Sequence, residues 1–420
     1  QRPGDPIVPA DSGSARDAAA ALALALDETT LAVQGPPGSG KTSTAAGMIV
    51  ELLKAGRRVG ITANSHKVIG NLLERVCEVA SRENVDLRPI QRAGKDEVSS
   101  AASVVRAPDN AAVRDALAAG DANLAAGTSW LWARAELMAS VDVLFVDEAG
   151  QFALANALAI AGAASSVVLL GDPLQLDQPL QGTHPPGAEK SCLAHVLGDD
   201  ATMPPERGLF LERTHRLHPA LCRYTSEAFY DARLEPEPGL ERQELVGTPR
   251  GELDGAGIRF VPVRHEGNQN ESAEEAETVA AIVRGLVEGG ARWVDRDGNS
   301  ARVAYDDVLV VAPYNAHVAA IRRLLPAEAR VGTVDKFQGQ QAPVAIYAMA
   351  TSTPEDAPRG MDFLYSRHRL NVATSRARCV AVLVCAPDLL RVRARTPSQM
   401  RLANAFAQLV EQARPLAVVA

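Results

Sequence analysis

Aromatic residues are scarce in this chain: Phe, Trp and Tyr fill 4% of its 420 positions. Platforms on which single-stranded bases stack are therefore few. No run of roughly 18 apolar residues occurs, so no membrane-spanning helix is expected. The five cysteines, Cys77, Cys192, Cys222, Cys379 and Cys385, are scattered and include no C-x-x-C. That spacing excludes a zinc or disulfide framework and fits a reducing, cytoplasmic setting. Excess positive charge is absent too. A net charge of −8 excludes a protein that coats nucleic acid through a broad basic face, while leaving room for a narrow track of contacts. The opening residues, Gln1-Arg-Pro-Gly-Asp, hold neither a Met nor the apolar core of a signal peptide, so an upstream part of the protein is expected to precede Gln1. No short-period repeat shows, which argues against a solenoid.

What the chain does have is enough apolar residues, 46% of the total, to bury two cores, so two domains are expected. The most informative stretch runs from Leu31 to Thr44. Leu31, Ala32 and Val33 read as a buried strand. Gly35-Pro36-Pro37-Gly38-Ser39-Gly40-Lys41-Thr42 then matches G-x-x-x-x-G-K-[ST], and Ser43 follows it as a further candidate for nucleotide contact. Met48, Ile49, Leu52 and Leu53 follow at helical spacing. Strand, loop and helix in that order form the context a phosphate-binding loop requires. Its glycines let backbone N–H groups point inward, and the helix N-terminus adds positive partial charge. Lys41 would reach the β- and γ-phosphates, and the Thr42 hydroxyl would ligate Mg2+.

Around that loop, strands and helices alternate, which implies α/β domains with parallel sheets covered on both faces. Residues 1–13 read as a linker and 14–205 as a first domain, with a helical insertion at about 81–121. Residues 206–420 read as a second, similar domain, with strands at Ile258–Val263, Val308–Ala312, Arg330–Val334, Val344–Met349 and Val380–Cys385. Ser272…Glu275 reads as a capping box. Two strands of the first domain end in acids. Asp147 and Glu148 close one; one of the pair would position the metal's water shell and the next would take a proton from the attacking water. The other runs into Gly171-Asp172-Pro173-Leu174-Gln175, where Gln175 either bridges the γ-phosphate to a neighbouring element or is a solvated turn residue. The second domain has no phosphate loop but offers Arg216 and Arg376. Taken alone each is a surface charge; supplied to a γ-phosphate they would stabilise transition-state charge.

Together QGPPGSGKT (Gln34–Thr42), DEAGQ (Asp147–Gln151), GDPLQL (Gly171–Leu176), HRLHP (His215–Pro219), VDKFQGQQ (Val334–Gln341) and NVATSRAR (Asn371–Arg378) resemble the motifs of superfamily 1 helicases. The likeness is closest to the branch containing the nonsense-mediated-decay helicase and its DNA-processing relatives. SHKVIGNLL (Ser65–Leu73), QGTHPPGAE (Gln181–Glu189) and EDAPRGMDFLYS (Glu355–Ser366) also resemble the helicase half of bacterial RecB-like nuclease–helicase fusions. The resemblance implies two tandem RecA-like domains with ATP between them and Mg2+ held by Thr42 and Asp147. It makes Lys41 and Glu148 catalytic, Gln175 a γ-phosphate sensor, and Arg216 and Arg376 arginine fingers. It places single-stranded nucleic acid, DNA rather than RNA, against Thr62, Asn64, Ser65, Gly127, Thr128 and Thr333, as contacts that fix position and carry little sequence information.

It further implies 5′–3′ movement, work in DNA processing or repair, and an upstream nuclease domain. Two positions depart from the pattern. His215 stands where relatives often stack a Tyr on adenine, and Gln341 where many have a Glu on the ribose; no Gln in 14–27 reproduces an adenine reader. The alternatives are a nucleotide-dependent clamp or switch that moves nothing, a binding module with an inactive motor, or an RNA helicase. Of the remaining candidates, His215 and His218 lack a third metal ligand. Trp130 and Trp132 follow a strand-contact loop, where one packs on a base or both pack in the core. Tyr314 and Asn315 end a strand and either touch nucleotide or nucleic acid or serve as turn residues, and Lys67, Lys336 and Arg378 are phosphate contacts or solvated charges.

Overall fold

Short apolar runs separated by amphipathic stretches build two α/β units. The computed structural model describes residues 7, 14–176, 187, 189–337 and 339–416. The chain divides into Gln1–Glu212 and Arg213–Ala420. The linker expected at 1–13 lies outside the described residues except for Ile7, whose N–H donates to Pro205 O at 2.9 Å. Most of the 181–189 stretch lies outside them as well.

The first unit carries β1 (Thr30–Gln34), β2 (Val59–Thr62), β3 (Pro89–Arg92), β4 (Val105–Ala107), β5 (Leu124–Ala126), β6 (Val141–Val146), β7 (Ala164–Gly171) and β8 (Gly208–Phe210). They form one sheet in the order β4-β3-β5-β2-β6-β7-β1-β8, with every pair parallel. Its helices are α1 (Ala15–Leu24), α2 (Lys41–Lys54), α3 (His66–Arg82), α4 (Asn110–Ala119), α5 (Ser129–Trp132), α6 (Leu154–Ala161) and α7 (Cys192–Leu197).

The central strands are buried on both faces and so read as unbroken apolar runs. On one face Val33, Ile61, Val143 and Phe145 belong to a core with Met48, Ile49 and Leu52 of α2 and Ile69 and Leu73 of α3. On the other, Trp132 closes over Gly60, where an added Cβ would lie 2.8 Å from its ring. Its indole Nε1 donates to Ile61 O and Gly127 O.

Two expectations change here. The 81–121 segment is not a helical insertion: β3 and β4 extend the sheet and α4 follows. The strands were hidden because β4 is an edge strand with Val105 and Arg106 exposed, so it shows no apolar alternation. The division between units falls after Pro205, because Gly208–Phe210 pairs with Ala32–Gln34 of β1.

The second unit carries β9 (Gly257–Pro262), β10 (Val308–Ala312), β11 (Arg330–Thr333), β12 (Ala342–Ala348), β13 (Ala377–Cys385) and β14 (Arg414–Pro415), all parallel, in the order β11-β10-β12-β13-β9-β14. Its helices are α8 (Pro219–Phe229), α9 (Ala273–Glu288), α10 (Asn315–Leu324), α11 (Gly360–Leu364), α12 (Arg367–Thr374) and α13 (Pro397–Gln412). Val279 and Val283 of α9 and Ile321 of α10 pack on Val310, Ile346 and Val382. A small antiparallel sheet of Glu244–Val246, Arg292–Val294 and Ser300–Arg302 departs from the purely parallel expectation; its short, mostly exposed strands carry no apolar run to announce them.

The expected capping box at Ser272 is half made. Ser272 Oγ accepts from Glu275 N at 3.1 Å, but the Glu275 carboxylate turns inward. There it takes His265 Nε2 at 2.9 Å and Ala350 N at 2.8 Å, with His317 Nε2 at 3.6 Å. Burial raises the carboxyl's pKa, but the two imidazoles and the Ala350 N–H outweigh it and hold the group below its ordinary range. Ala350 has φ +68°, so the carboxylate secures a left-handed residue just past β12. Each buried donor left unpaired costs roughly 1–3 kcal/mol. Glu275→Ala is therefore expected to lower the urea midpoint of the second unit, with Glu275→Gln recovering part of the loss; an unchanged midpoint for Glu275→Ala would contradict the role given to this network.

Candidate nucleotide site and strand-contact residues

The phosphate loop is anchored through its main chain. Gln34, the last residue of β1, is wholly buried, its Nε2 donating to Ala201 O at 3.1 Å and its Oε1 accepting from Met203 N at 2.7 Å. Gly35 N donates to Gly171 O at 2.8 Å, which ties the start of the loop to the end of β7. No side chain fits at Gly35: a Cβ there would stand 2.1 Å from Lys41 Cγ and 2.8 Å from Ser39 Oγ. Gly38 and Gly40 adopt φ of +75° and +78°, a region open to glycine at little cost. These turns deliver the chain into α2 at Lys41, with Thr42 and Ser43 in its first turn. Pro36 O accepts from Ser39 N at 3.1 Å, and Pro37 is buried beside it.

Lys41 Nζ donates to Gly35 O at 2.5 Å, and the buried Ser39 Oγ has no partner among the described residues. A helix N-terminus, a lysine over the loop and an orphaned hydroxyl suit a phosphate group.

The loops after β6 and β7 meet beside it. Asp147 N donates to Thr62 O at 2.9 Å and Ala149 N to Leu170 O at 2.7 Å. A Cβ on Gly150 would lie 2.5 Å from Asp172 O, and one on Gly171 2.5 Å from Gly150 N. Asp147 is buried, and its Oδ1 accepts from Glu148 N at 2.8 Å. Burial first, then the Glu148 charge, push its carboxyl up to about 7, while the Glu148 N–H and the Lys41 ammonium act the other way. Lys41, Asp147 and Glu148 thus share one electrostatic site. Glu148 has φ +52°, which breaks the strand alternation that would send neighbouring side chains to opposite faces. A hydroxyl at Thr42 and a carboxylate at Asp147 are oxygen donors of the kind Mg2+ takes. Gln175 is buried and held in place, its Nε2 donating to Asp172 Oδ2 at 2.9 Å, and Asp172 Oδ1 also accepts from Leu174 N. Asp172, which the sequence marks only as the acid ending this strand, positions the glutamine.

The residues expected against nucleic acid separate. Asn64 and Ser65 are exposed after β2; Asn64 Nδ2 donates to Gln151 O at 2.7 Å, and Ser65 Oγ caps α3. Gly127 N donates to Ile61 O, and Thr128 stands half-buried at the start of α5. Thr62 is a correction: it is wholly buried inside β2, since a strand enclosed on both faces sends both sets of side chains inward. Its carbonyl instead supports Asp147. Thr333 ends β11, half-buried, in the second unit.

That unit gathers arginines. Arg216 Nε donates to Gln341 Oε1 at 2.8 Å and its Nη1 to Ser375 O at 3.2 Å. Burial, then the like charges of Arg376 and Arg378, hold its guanidinium below the usual arginine range. Arg376 is buried, with Nε on Val372 O and Nη1 on Gln340 O, both at 3.1 Å. Gln243, which the sequence did not flag, accepts from Arg378 Nε and donates to Arg216 O. Arg378 lies 4.9 Å from the Trp293 ring centroid. His215 is exposed beside the cluster. His218 caps α8 through Nδ1, which accepts from Ala220 N at 3.0 Å, and burial lowers its pKa.

Known proteins resemble the chain across both units. Two family models, each described as an AAA domain, match residues 14–128 and 189–388. The chain is 24% identical to the DNA polymerase alpha-associated DNA helicase A of Schizosaccharomyces pombe, over 85% of this chain and 61% of that protein. It is 26% identical to the DNA-binding protein SMUBP-2 of Rattus norvegicus, over 87% and 42%. With the Regulator of nonsense transcripts 1 homolog of Drosophila melanogaster it shares 24% identity, over 88% and 34%. The chain thus spans between about a third and three fifths of the length of these curated relatives.

The packing at Gly35 supplies a direct check. Forcing a methyl group into such a space costs roughly 1–3 kcal/mol, which is about a ten- to hundredfold loss of affinity if it falls on the bound state. Gly35→Ala is expected to bind MgATP that much more weakly in equilibrium titration; parental affinity would show that Lys41 does not depend on this contact.

Proposed function

We propose what this chain does from the premise that it belongs to the superfamily 1 helicases, in the branch that contains the nonsense-mediated-decay helicase. The reading is an ATP-driven translocase on single-stranded nucleic acid, DNA rather than RNA, moving 5′ to 3′. The observation that carries it is the shared site of Lys41, Asp147 and Glu148, where a phosphate loop meets the buried Asp147 carboxylate and its half-buried neighbour Glu148. The names of two relatives, a DNA helicase and a DNA-binding protein, support the choice of DNA.

Each residue then has a task. Backbone N–H groups of 35–43 and the Lys41 ammonium hold the triphosphate. Thr42 and Asp147 would hold Mg2+, which neutralises phosphate charge when bound. Glu148 takes the proton of the attacking water. Gln175, oriented by Asp172, reads the γ-phosphate. Arg216 and Arg376 stabilise the charge that develops on the transferred group, and Gln341 and Gln243 keep the arginine cluster oriented. His215 and Gln341 stand where adenine and ribose are read. Asn64, Ser65, Gly127, Thr128 and Thr333 grip the strand's backbone. A cytoplasmic setting, a role in DNA repair and kinship with RecB-like nuclease–helicase fusions, upstream nuclease included, belong to the same proposal; the likeness of Ser65–Leu73 and Glu355–Ser366 supports the last.

Steady-state ATP hydrolysis tests these roles. Lys41→Ala and Glu148→Gln are expected to abolish turnover, and Arg376→Ala to lower it roughly 10³-fold while nucleotide still binds. Parental turnover in Glu148→Gln would remove the proton acceptor from the proposal. A duplex carrying a 5′ single-stranded tail is expected to be unwound, and one with a 3′ tail left intact. Strand-stimulated hydrolysis without displacement of either would make the protein a clamp.

A further inference from the structure

We infer that Trp130 stacks on a base of the bound single strand, an inference that rests on the proposed function. In the sequence Trp130 and Trp132 are indistinguishable; the structure sends them to opposite environments. Trp132 is 1% exposed, deep in the first unit's core, while Trp130 is 84% exposed. In a chain with three tryptophans, leaving one indole in water forfeits one of the largest burial gains a side chain offers.

The turn that carries the indole is fastened to the first unit. Trp132 is fastened by its hydrogen bonds to Ile61 O and Gly127 O, and Leu131 packs where a Cβ of Gly127 would stand 2.5 Å from its Cδ2. Leu131 N and Ala133 N close the turn onto Thr128 O and Ser129 O, each at 2.9 Å. With both C-terminal neighbours pinned inward, the turn leaves Trp130 on its solvent side.

Its position suits a strand. The turn leaves the carboxyl end of β5, and Gly127 N on Ile61 O ties it to the carboxyl end of β2, from which the exposed Asn64 and Ser65 emerge. Ligands of open parallel sheets gather at that edge. Thr128 begins α5 without using its hydroxyl as a cap, so an O–H suited to a phosphodiester oxygen stands two residues from a ring suited to a base. Stacking of this kind tolerates any sequence because every base has a π-face. Met138 and Leu158 are exposed too, at 68% and 70%, which makes a protein partner the competing occupant. The Thr128 hydroxyl two residues before the indole, and the exposed Asn64 and Ser65 after the adjacent strand β2, favour nucleic acid.

The test titrates the chain with oligodeoxythymidylate and with an abasic strand of equal length, at one salt concentration, following indole fluorescence and affinity. Binding of oligodeoxythymidylate is expected to quench the parental fluorescence. Trp130→Ala is expected to lose that quenching and roughly ten- to hundredfold in affinity, Trp130→Phe to recover part of the affinity, and the abasic strand to bind parent and Trp130→Ala alike. Equal binding of oligodeoxythymidylate by parent and Trp130→Ala overturns the inference. So does an equal loss on both strands, which marks a general defect, or a Trp130→Ala effect on sedimentation alone, which assigns the indole to a protein contact. If the parent binds neither strand, the proposed function itself fails, and the stacking role with it.

Discussion

Main-chain contact between three neighbouring loops sets the geometry of the first unit. Gly35 N on Gly171 O, Ala149 N on Leu170 O and Asp147 N on Thr62 O bind the carboxyl ends of β1, β2, β6 and β7 into one surface. Gly150 and Gly171 have no room for a Cβ, because each lies against the backbone of the other's loop. The phosphate loop, the acid pair and the Asp172–Gln175 pair therefore rise from a backbone frame. Frames of this kind hold reacting groups more rigidly than side-chain packing on loops does. Within it the Asp147 carboxyl is pressed by burial and by Glu148, a build-up of negative potential that suits a cation beside the phosphates.

The second unit uses the same parallel-sheet architecture for another purpose. It carries an arginine cluster at the amino ends of β12 and β13, whereas the first unit carries its phosphate loop at the carboxyl end of β1. Arg216, Arg376 and Arg378 share one field, and amide side chains from Gln341 and Gln243 orient two of them. Guanidinium groups remain charged throughout the physiological range, so their mutual repulsion is a standing feature of the fold. A polyanion brought to such a cluster relieves that repulsion. The Glu275–His265–His317 network secures the left-handed turn at Ala350 past β12, at the carboxyl end of that strand and away from the arginine cluster at the amino ends.

Much of this was legible in the sequence where one local pattern carried the message. The phosphate loop declared itself because glycine, lysine and threonine are each required at fixed spacing between an apolar strand and a helix. The central strands were readable as apolar runs. Segments whose pattern depends on distant neighbours were not. The strands Pro89–Arg92 and Val105–Ala107 lie toward a sheet edge and show little alternation, so they passed for a helical insertion. Thr62 matched a strand-contact motif, yet the closed sheet buries it. Ser272 and Glu275 form half a capping box because two buried imidazoles outcompete the helix N-terminus for the carboxylate. The left-handed backbone of Glu148 has no signature in residue type, and Trp130 and Trp132 parted only because α5 turns one inward.

The most direct measurement is the rate of phosphate release from ATP by the parental chain, alone and with single-stranded DNA, single-stranded RNA or blunt duplex. Hydrolysis that is slow alone, rises strongly with single-stranded DNA and responds little to blunt duplex is the expected result. A rate identical under all four conditions would contradict a motor that couples nucleotide to strand.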